Sequence, residues 1–474
     1  MSDARPSAHE ALDRARAHAT RWLDGLDQRS VGATASLEDL RARLGVPVPE
    51  HGSDPVRIID DLAAATEGGL LGSPGGRFYA WVIGGSLPSA LAADWLTAAW
   101  DQNAGMYATA PAAAIVEEVA GGWLLEMLDL PRDASFAFVT GCQMAHVTAL
   151  AAARSGVLRD AGWNVETDGL FGAPPIRVLA TATRHSTIDR ALRFLGLGER
   201  TVRPIANDAK GRVTVAALRE ALASGSGPTI VTLAAGDLNT AEFDPFRSLI
   251  PIAKEAGAWV HIDGAFGLMA RASAAKRPLL DGVELADSWA TDAHKWLNVP
   301  YDSGIAIVRD RAAHRASMTV SASYLSPNDR TRDEVDWNPE FSRRARGFAL
   351  YAALRELGRS GLAALIDRCC AHCHAIVSGI GALAGAELLW EPELNQGLVR
   401  FLDQRSGATD KEHDVRTDAV IATINASGEA FFGGVTWNGK RAMRVSVVNW
   451  RTTDDDVARA IAAARRAIAG AVQQ

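Results

Sequence analysis

Cysteine is scarce in this chain: four in 474 residues, Cys142, Cys369, Cys370 and Cys373, with three crowded into one stretch. Such usage excludes a disulfide framework. Dense runs of Lys or Arg are also missing. The 49 basic and 56 acidic residues leave a net charge of -7, which argues against nucleic acid or an anionic membrane as partner and for a small-molecule substrate. No long apolar run opens the chain: MSDARPSAHEALDRARAHATRWLDGL is charged throughout, so neither a signal peptide nor a membrane span is read, and the cytoplasm is the expected location. Internal repeats and low-complexity segments are absent. What is present is ordinary globular material, 48% hydrophobic and 22% charged, long enough for two or more packed units around a large core.

The cysteine-bearing stretch DRCCAHCH, with His372 and His374, invites a metal reading. It lies inside an alanine-rich run with helical apolar spacing and lacks the paired, separated ligand knuckles of zinc sites. A packed helix is expected there, and no metal.

Helical patterns fill residues 8–25 and 55–66, after which LLGSPGGRFYAWVIGGSLPSA gathers Gly, Pro and aromatics into a demanding loop. Short apolar runs then alternate with helical ones: helices 89–101 and 112–128, strand ASFAFVT, a helix from 144, strand IRVLAT, helix 186–195, strand TIVTLA, helix 245–256 and strand WVHID. This alternation predicts an α/β unit with a buried, largely parallel sheet. The tail differs, with helical stretches 346–384 and 454–470 around the strand candidates QGLVRFL and AMRVSVVN. The expected division is a helical arm (1–75), a large α/β domain (76–345) and a small α+β domain (346–474).

Four features follow one another in a chemically suggestive order. In FVTGCQMAH a strand runs into Thr140 and Gly141 before a helix begins near Gln143, a turn that aims backbone N–H groups at an anion, though a purely structural turn has the same form. His185 follows strand IRVLAT and precedes a helix capped by Ser186 or Thr187, which suits a structural histidine or a catalytic one. Asp263 ends the strand WVHID, at the edge where open α/β sheets bind ligands; it can face a cationic ring nitrogen or cap the next segment. Lys295, in TDAHKWLNVP, is fenced by apolar and aromatic residues, where an ammonium is costly to desolvate, so it is either paired or chemically used. Pyridoxal phosphate needs all four: an anchored phosphate, a stacked ring, a carboxylate at N1 and a lysine Schiff base.

At these residues the chain resembles the group II pyridoxal-phosphate-dependent amino acid decarboxylases, a branch of the aspartate aminotransferase fold type I, from about residue 76 onward. The family's H-[VI]-D-x-A-[YF]-G stands here as His261-Ile262-Asp263-Gly264-Ala265-Phe266-Gly267, and its D-x-H-K-W as Asp292-Ala293-His294-Lys295-Trp296. RFYAWVIGGSLPSALAADWL resembles the pocket-lining segment, and RHSTIDRALRFLGLG the one whose histidine lies over the cofactor. The resemblance implies a fold-type I architecture, with a mostly parallel seven-stranded sheet in the large, cofactor-binding domain and a smaller C-terminal α+β domain. It also implies a homodimer with its active site at the subunit interface. By the same resemblance Lys295 forms the Schiff base, Asp263 pairs with the ring nitrogen, His185 stacks on the ring and Ala265 packs beneath it. Gly141, Cys142, Gln143 and His294 hold the phosphate, and Trp81, Val82 and Ile83 line the substrate pocket. Arg444 matches an arginine directed at a substrate carboxylate, yet it also fits a sheet-edge residue paired within the small domain.

Three departures stand out. Cys142, Gln143 and Met144 replace the usual small, serine and acidic residues of the phosphate loop. Asp237-Leu238 replaces a pair of threonines beside the cofactor, placing a carboxylate near the substrate. Many members also carry a loop tyrosine that protonates the carbanionic carbon after carbon dioxide leaves, but no tyrosine lies between Leu325 and Arg344; Tyr324 precedes the loop. His185 and Lys295 are the alternative proton donors. The expected reaction is decarboxylation of an L-α-amino acid; Trp81, Val82, Ile83 and Gly84 suggest an aromatic or apolar side chain, while Asp237 and Arg444 equally suit a polar one. Aldehyde synthase, aminotransferase or carbon–carbon lyase chemistry on the same scaffold is the alternative, and retention of Lys295, Asp263 and His185 argues against a non-catalytic protein.

Overall fold

The structure, a computed structural model, describes residues 8–319 and 331–470. Tyr324 and the start of the tyrosine-free stretch lie outside the described residues.

Short apolar runs build the central layer. Strands β1 (Ser135–Val139), β2 (Arg177–Thr181), β3 (Val202–Ile205), β4 (Thr229–Ala234), β5 (Trp259–Asp263), β6 (Ser288–Asp292) and β7 (Gly304–Val308) form one sheet of order β1-β7-β6-β5-β4-β2-β3. Only β7 runs against its neighbours. Because β7 is antiparallel to both β1 and β6, β1 points the same way as the parallel strands, and six carboxyl ends lie on one edge. Burial on both faces explains why β1 and β7 read as near-continuous apolar runs rather than alternating ones. The helix Cys142–Asp160 crosses this sheet on small residues, and a Cβ at Gly156 would come within 2.7 Å of the Trp259 ring.

A second sheet, with β8 (Ala386–Trp390), β9 (Gln396–Phe401), β10 (Gly433–Trp437) and β11 (Lys440–Ser446), is antiparallel in the order β10-β11-β9-β8. The long helix Gly347–Gly381 joins the two units and bends at Gly358, whose φ of 58° only glycine adopts freely. Before the bend, Ser89 Oγ donates to Ala352 O at 3.0 Å; beyond it, the buried Cys369 and Cys373 thiols face the carbonyls of Asn449 and Val445. The DRCCAHCH stretch is therefore packed helix, with all four cysteines free and buried, and His372 meets Asp454 at 3.1 Å.

Residues 77–80 bind to the small unit. Tyr79 N–H donates to Phe431 O, and Ser446 N–H donates to Tyr79 O. The arm helices Ala8–Asp24, Leu37–Leu44 and Pro55–Thr66 leave Leu12, Leu37, Ile58 and Leu62 exposed, as helix Pro88–Trp100 leaves Trp95, Leu96 and Trp100. Among the described residues no helix is long and apolar enough to cross a membrane.

Candidate active site

The shared edge of carboxyl ends opens into a cavity of about 390 Å³, and every residue given a cofactor, catalytic or substrate role from the sequence lines it, from Trp81 and Gly141 to Lys295 and Arg444. Strand ends position the chemistry. Asp263 closes β5, Asp292 closes β6 just ahead of Lys295, Gly141 follows β1, and His185 caps the helix after β2.

Lys295 is both paired and directed into the cavity. Its Nζ lies 3.1 Å from Asp292 Oδ2, while Asp292 Oδ1 accepts the Cys142 N–H at 2.5 Å and faces His294 Nε2 at 3.3 Å. Burial disfavours the ammonium, but Asp292 more than offsets it and holds the Lys295 proton affinity above the ordinary value. His294 accepts the Ser303 N–H on Nδ1, so its proton sits on Nε2 toward Asp292, and its ring lies against Tyr301. The sequence reading gave Asp292 no role, although it stands three residues before the lysine in the motif itself.

Burial also resists ionisation of Asp263, yet His146, then His185 and Lys295, more than compensate and hold its carboxyl well below the usual range. Asp263 Oδ1 accepts the Ala265 N–H at 3.2 Å and lies 3.5 Å from His146 Nε2. His146 went unnoticed in the sequence, though it falls one helical turn after Cys142, whose sulfur it meets at 3.4 Å. His185 accepts the Thr187 N–H on Nδ1 at 3.2 Å, leaving Nε2 as its proton-bearing nitrogen.

The pocket wall is strained into place. Trp81 and Val82 have φ of 56° and 78°, in a tight turn closed by Val82 N–H to Ala80 O at 3.0 Å; such values are uncommon for any side-chain-bearing residue and rare for valine. Gly84 lets this wall lie against the lysine segment, since a Cβ there would come within 2.0 Å of Lys295 O. On the opposite side, Arg444 is not a sheet-edge residue. β11 is an internal strand, and the buried Arg444 leaves the small sheet to donate from Nη1 to Leu238 O at 2.9 Å. Its Nε has no partner among the described residues, and burial brings its proton affinity down to about 10 against the opposing pull of Asp237. Asp237 itself is engaged in a turn, accepting from Asn239 N–H, Thr240 N–H and the Thr240 hydroxyl.

Gln143 Oε1 and Thr232 Oγ1, which belong to residues lining the cavity, are buried without a hydrogen-bond partner among the described residues. This unmet capacity, beside a lysine amine and a strand-end carboxylate, fits a polar cofactor. Residues 38–402 match the family model described as the pyridoxal-dependent decarboxylase conserved domain. The chain belongs to this family. The pyridoxal-dependent decarboxylases related to it include an L-2,4-diaminobutyrate decarboxylase of Rhizobium meliloti (strain 1021), 31% identical over 78% of this chain and 73% of that protein. An aromatic-L-amino-acid decarboxylase of Bacillus atrophaeus is 24% identical, covering 92% of this chain and 90% of its own. In fold, the chain is similar to the crystal structure of Oryza sativa TDC with PLP and tryptamine, at a TM-score of 0.91 and 22% identity over 99% of each chain. As a member of the pyridoxal-dependent decarboxylases, the protein is a carboxy-lyase whose cofactor is pyridoxal phosphate.

Proposed function

We propose that this carboxy-lyase removes the α-carboxylate of an L-α-amino acid with an aromatic or apolar side chain, yielding the amine and carbon dioxide. The observation that carries this reading is the convergence of Lys295, Asp263, His185 and Arg444 on one cavity whose outer wall is Trp81, Ile83 and Leu238. Bound pyridoxal phosphate supplies an electron sink for the pair left behind by the departing carboxylate. Lys295 would provide the amine that holds the cofactor, and Asp263 the negative charge for its ring nitrogen. Gly141, Cys142, Gln143 and His294 would hold the phosphate, and Ala265 would offer a small surface to the ring. Arg444, a buried guanidinium with an unpartnered Nε, binds the substrate carboxylate. His185, once protonated to the imidazolium, would deliver its Nε2 proton to the substrate carbon in the role a loop tyrosine would take, and return to the neutral ring that accepts the Thr187 N–H.

This reading includes a second copy of the chain. A groove of about 840 Å³ between the arm and helix Pro88–Trp100, lined by Trp22, Leu70, Leu91 and Trp95, adds to the exposed apolar residues of both elements. A homodimer of twice 50.3 kDa, in the cytoplasm where four free thiols persist, accounts for them. The arm before residue 76 serves this contact, residues 76–345 hold the cofactor, and those from 346 onward complete the pocket.

The test is a panel of amino acids incubated with the holoenzyme, with products identified by mass and oxygen recorded in parallel. Equal amounts of amine and carbon dioxide from aromatic or apolar substrates are expected. Aldehyde with oxygen uptake would place the protein in synthase chemistry instead. Borohydride reduction should leave a phosphopyridoxyl adduct on the Lys295 peptide, absent in Lys295→Ala; an adduct elsewhere would remove the site assignment.

A further inference from the structure

Behind Asp263, away from the cavity, a chain of buried polar groups runs into the sheet. His146 and His261 are fully buried. His146 Nδ1 lies 2.9 Å from His261 Nε2, and His261 Nδ1 lies 2.9 Å from Ser288 Oγ. Ser288 Oγ in turn accepts the Trp259 indole N–H at 2.9 Å. An indole can only donate. With that donor at the far end and a carboxylate at the near end, one arrangement gives every group its partner. The Ser288 hydroxyl donates to His261 Nδ1, His261 Nε2–H donates to His146 Nδ1, and His146 Nε2–H points at Asp263 Oδ1, 3.5 Å away.

Charge selects this arrangement over a protonated His146. Once Asp263 is paired with a cationic ring nitrogen, a buried imidazolium on the same carboxylate would leave an uncompensated charge in the core. The neutral Nε2–H tautomer still donates, without adding that charge. The other group at this nitrogen is the Cys142 sulfur, 3.4 Å away, which burial keeps as a thiol.

We propose that His146 is a positioning residue for Asp263: a neutral histidine, its tautomer set by His261, Ser288 and Trp259, that orients the carboxylate and keeps it ionised opposite the cofactor ring. The proposal rests on Asp263 being the ring-nitrogen partner. His146→Leu removes the donor, whereas His146→Gln places an amide N–H near the same point.

The experiment reconstitutes parent and variant holoenzymes with pyridoxal phosphate labelled with nitrogen-15 in its ring, and reads ring-nitrogen protonation by solid-state NMR. Cofactor affinity is measured by fluorescence, and folding by circular dichroism. His146→Leu should shift the ring nitrogen toward its unprotonated signal and weaken cofactor binding about ten- to hundredfold, the range for losing a hydrogen bond to a charged group; His146→Gln should restore most of both. Asp263→Asn separates the two claims. If it leaves the ring signal unchanged, the site reading itself fails. If it shifts the signal while His146→Leu does not, only the role of His146 is lost. Should His146→Leu not fold, histidine nitrogen-15 labelling of the parent decides: a proton on Nε2 of both His146 and His261, lost to a tautomer mixture in Ser288→Ala, supports the proposal. A proton on His146 Nδ1 alone overturns it.

Discussion

Asp292 serves three groups with two oxygens: the Lys295 ammonium, the His294 ring and the Cys142 N–H. Its charge is what raises the proton affinity of Lys295 against the cost of burial. Capture of an aldehyde needs the free amine, so this carboxylate moves capture to higher pH. Asp292→Asn keeps an oxygen for the Cys142 N–H but removes the charge, and the midpoint of cofactor capture by apoprotein should fall by about one pH unit or more. The check is the visible absorbance gained on mixing with pyridoxal phosphate across a pH series; an unmoved midpoint would show that Lys295 is governed by another group. Lys295, Asp263 and His185 were legible in the sequence because each is a distinctive residue type at a strand end. Asp292 and His146 were not, because their roles come from what faces them across the sheet. A partial signal did exist: His261 and Asp263 are two apart on β5, so a strand places both on one face.

At the scale of elements, the helices read from the sequence match nearly residue for residue, as at Pro55–Thr66 and Asp454–Gly470, because their apolar spacing reports a buried face, whereas Val215–Ala223 and Asp410–Ala426 went unread. The strands missed have physical reasons. β3, Val-Arg-Pro-Ile, sits on the sheet edge, where a proline is tolerated and half the backbone goes unpaired. β6, Ser-Trp-Ala-Thr-Asp, is central yet polar, because Ser288 and Asp292 carry hydrogen bonds inward and toward the cavity. Burial of neutral histidines has a pH consequence. His261 and His314 are both pushed down to about 3 by burial, and His314 lies between the Ser135 hydroxyl and the Trp337 carbonyl. The unfolded chain protonates these rings near pH ~6.5 while the folded one resists, so their contribution is complete above that value and is lost as pH falls toward about 3. The urea midpoint should drop across this window. His314→Gln, which keeps both hydrogen bonds, should lessen the slope; an unchanged slope would exclude His314 as a source.

At the scale of the whole molecule, the arm and the small unit meet at one buried guanidinium. Arg77 donates from Nη1 to the carbonyls of Gly428 and Glu429, and from Nη2 to those of Leu26, Asp27 and Arg29, so the arm and the small unit close around it. Arg77→Leu takes a shared donor from five carbonyl oxygens, of which Gly428 O keeps the Val31 N–H and Asp27 O keeps Arg459 Nη1, and should cost about 3 kcal/mol. Calorimetry is expected to show an early transition separate from that of the large sheet; a single transition with an unchanged midpoint would refute this central role. The strained turn at Trp81 and Val82 grows out of the same junction. Trp81 leans on Phe78 and Phe431, whose rings stack at 5.2 Å, so the proposed substrate wall takes its foundation from the small unit, while the proposed cofactor anchors stand on the large sheet. On the proposed function, selectivity and chemistry are thereby encoded in different stretches of the gene. Mutational drift around residues 78–83 and 431 can explore new side-chain preferences while residues 141–295 go on binding the same cofactor, and a library aimed at new substrates has most to gain by leaving the lysine segment alone.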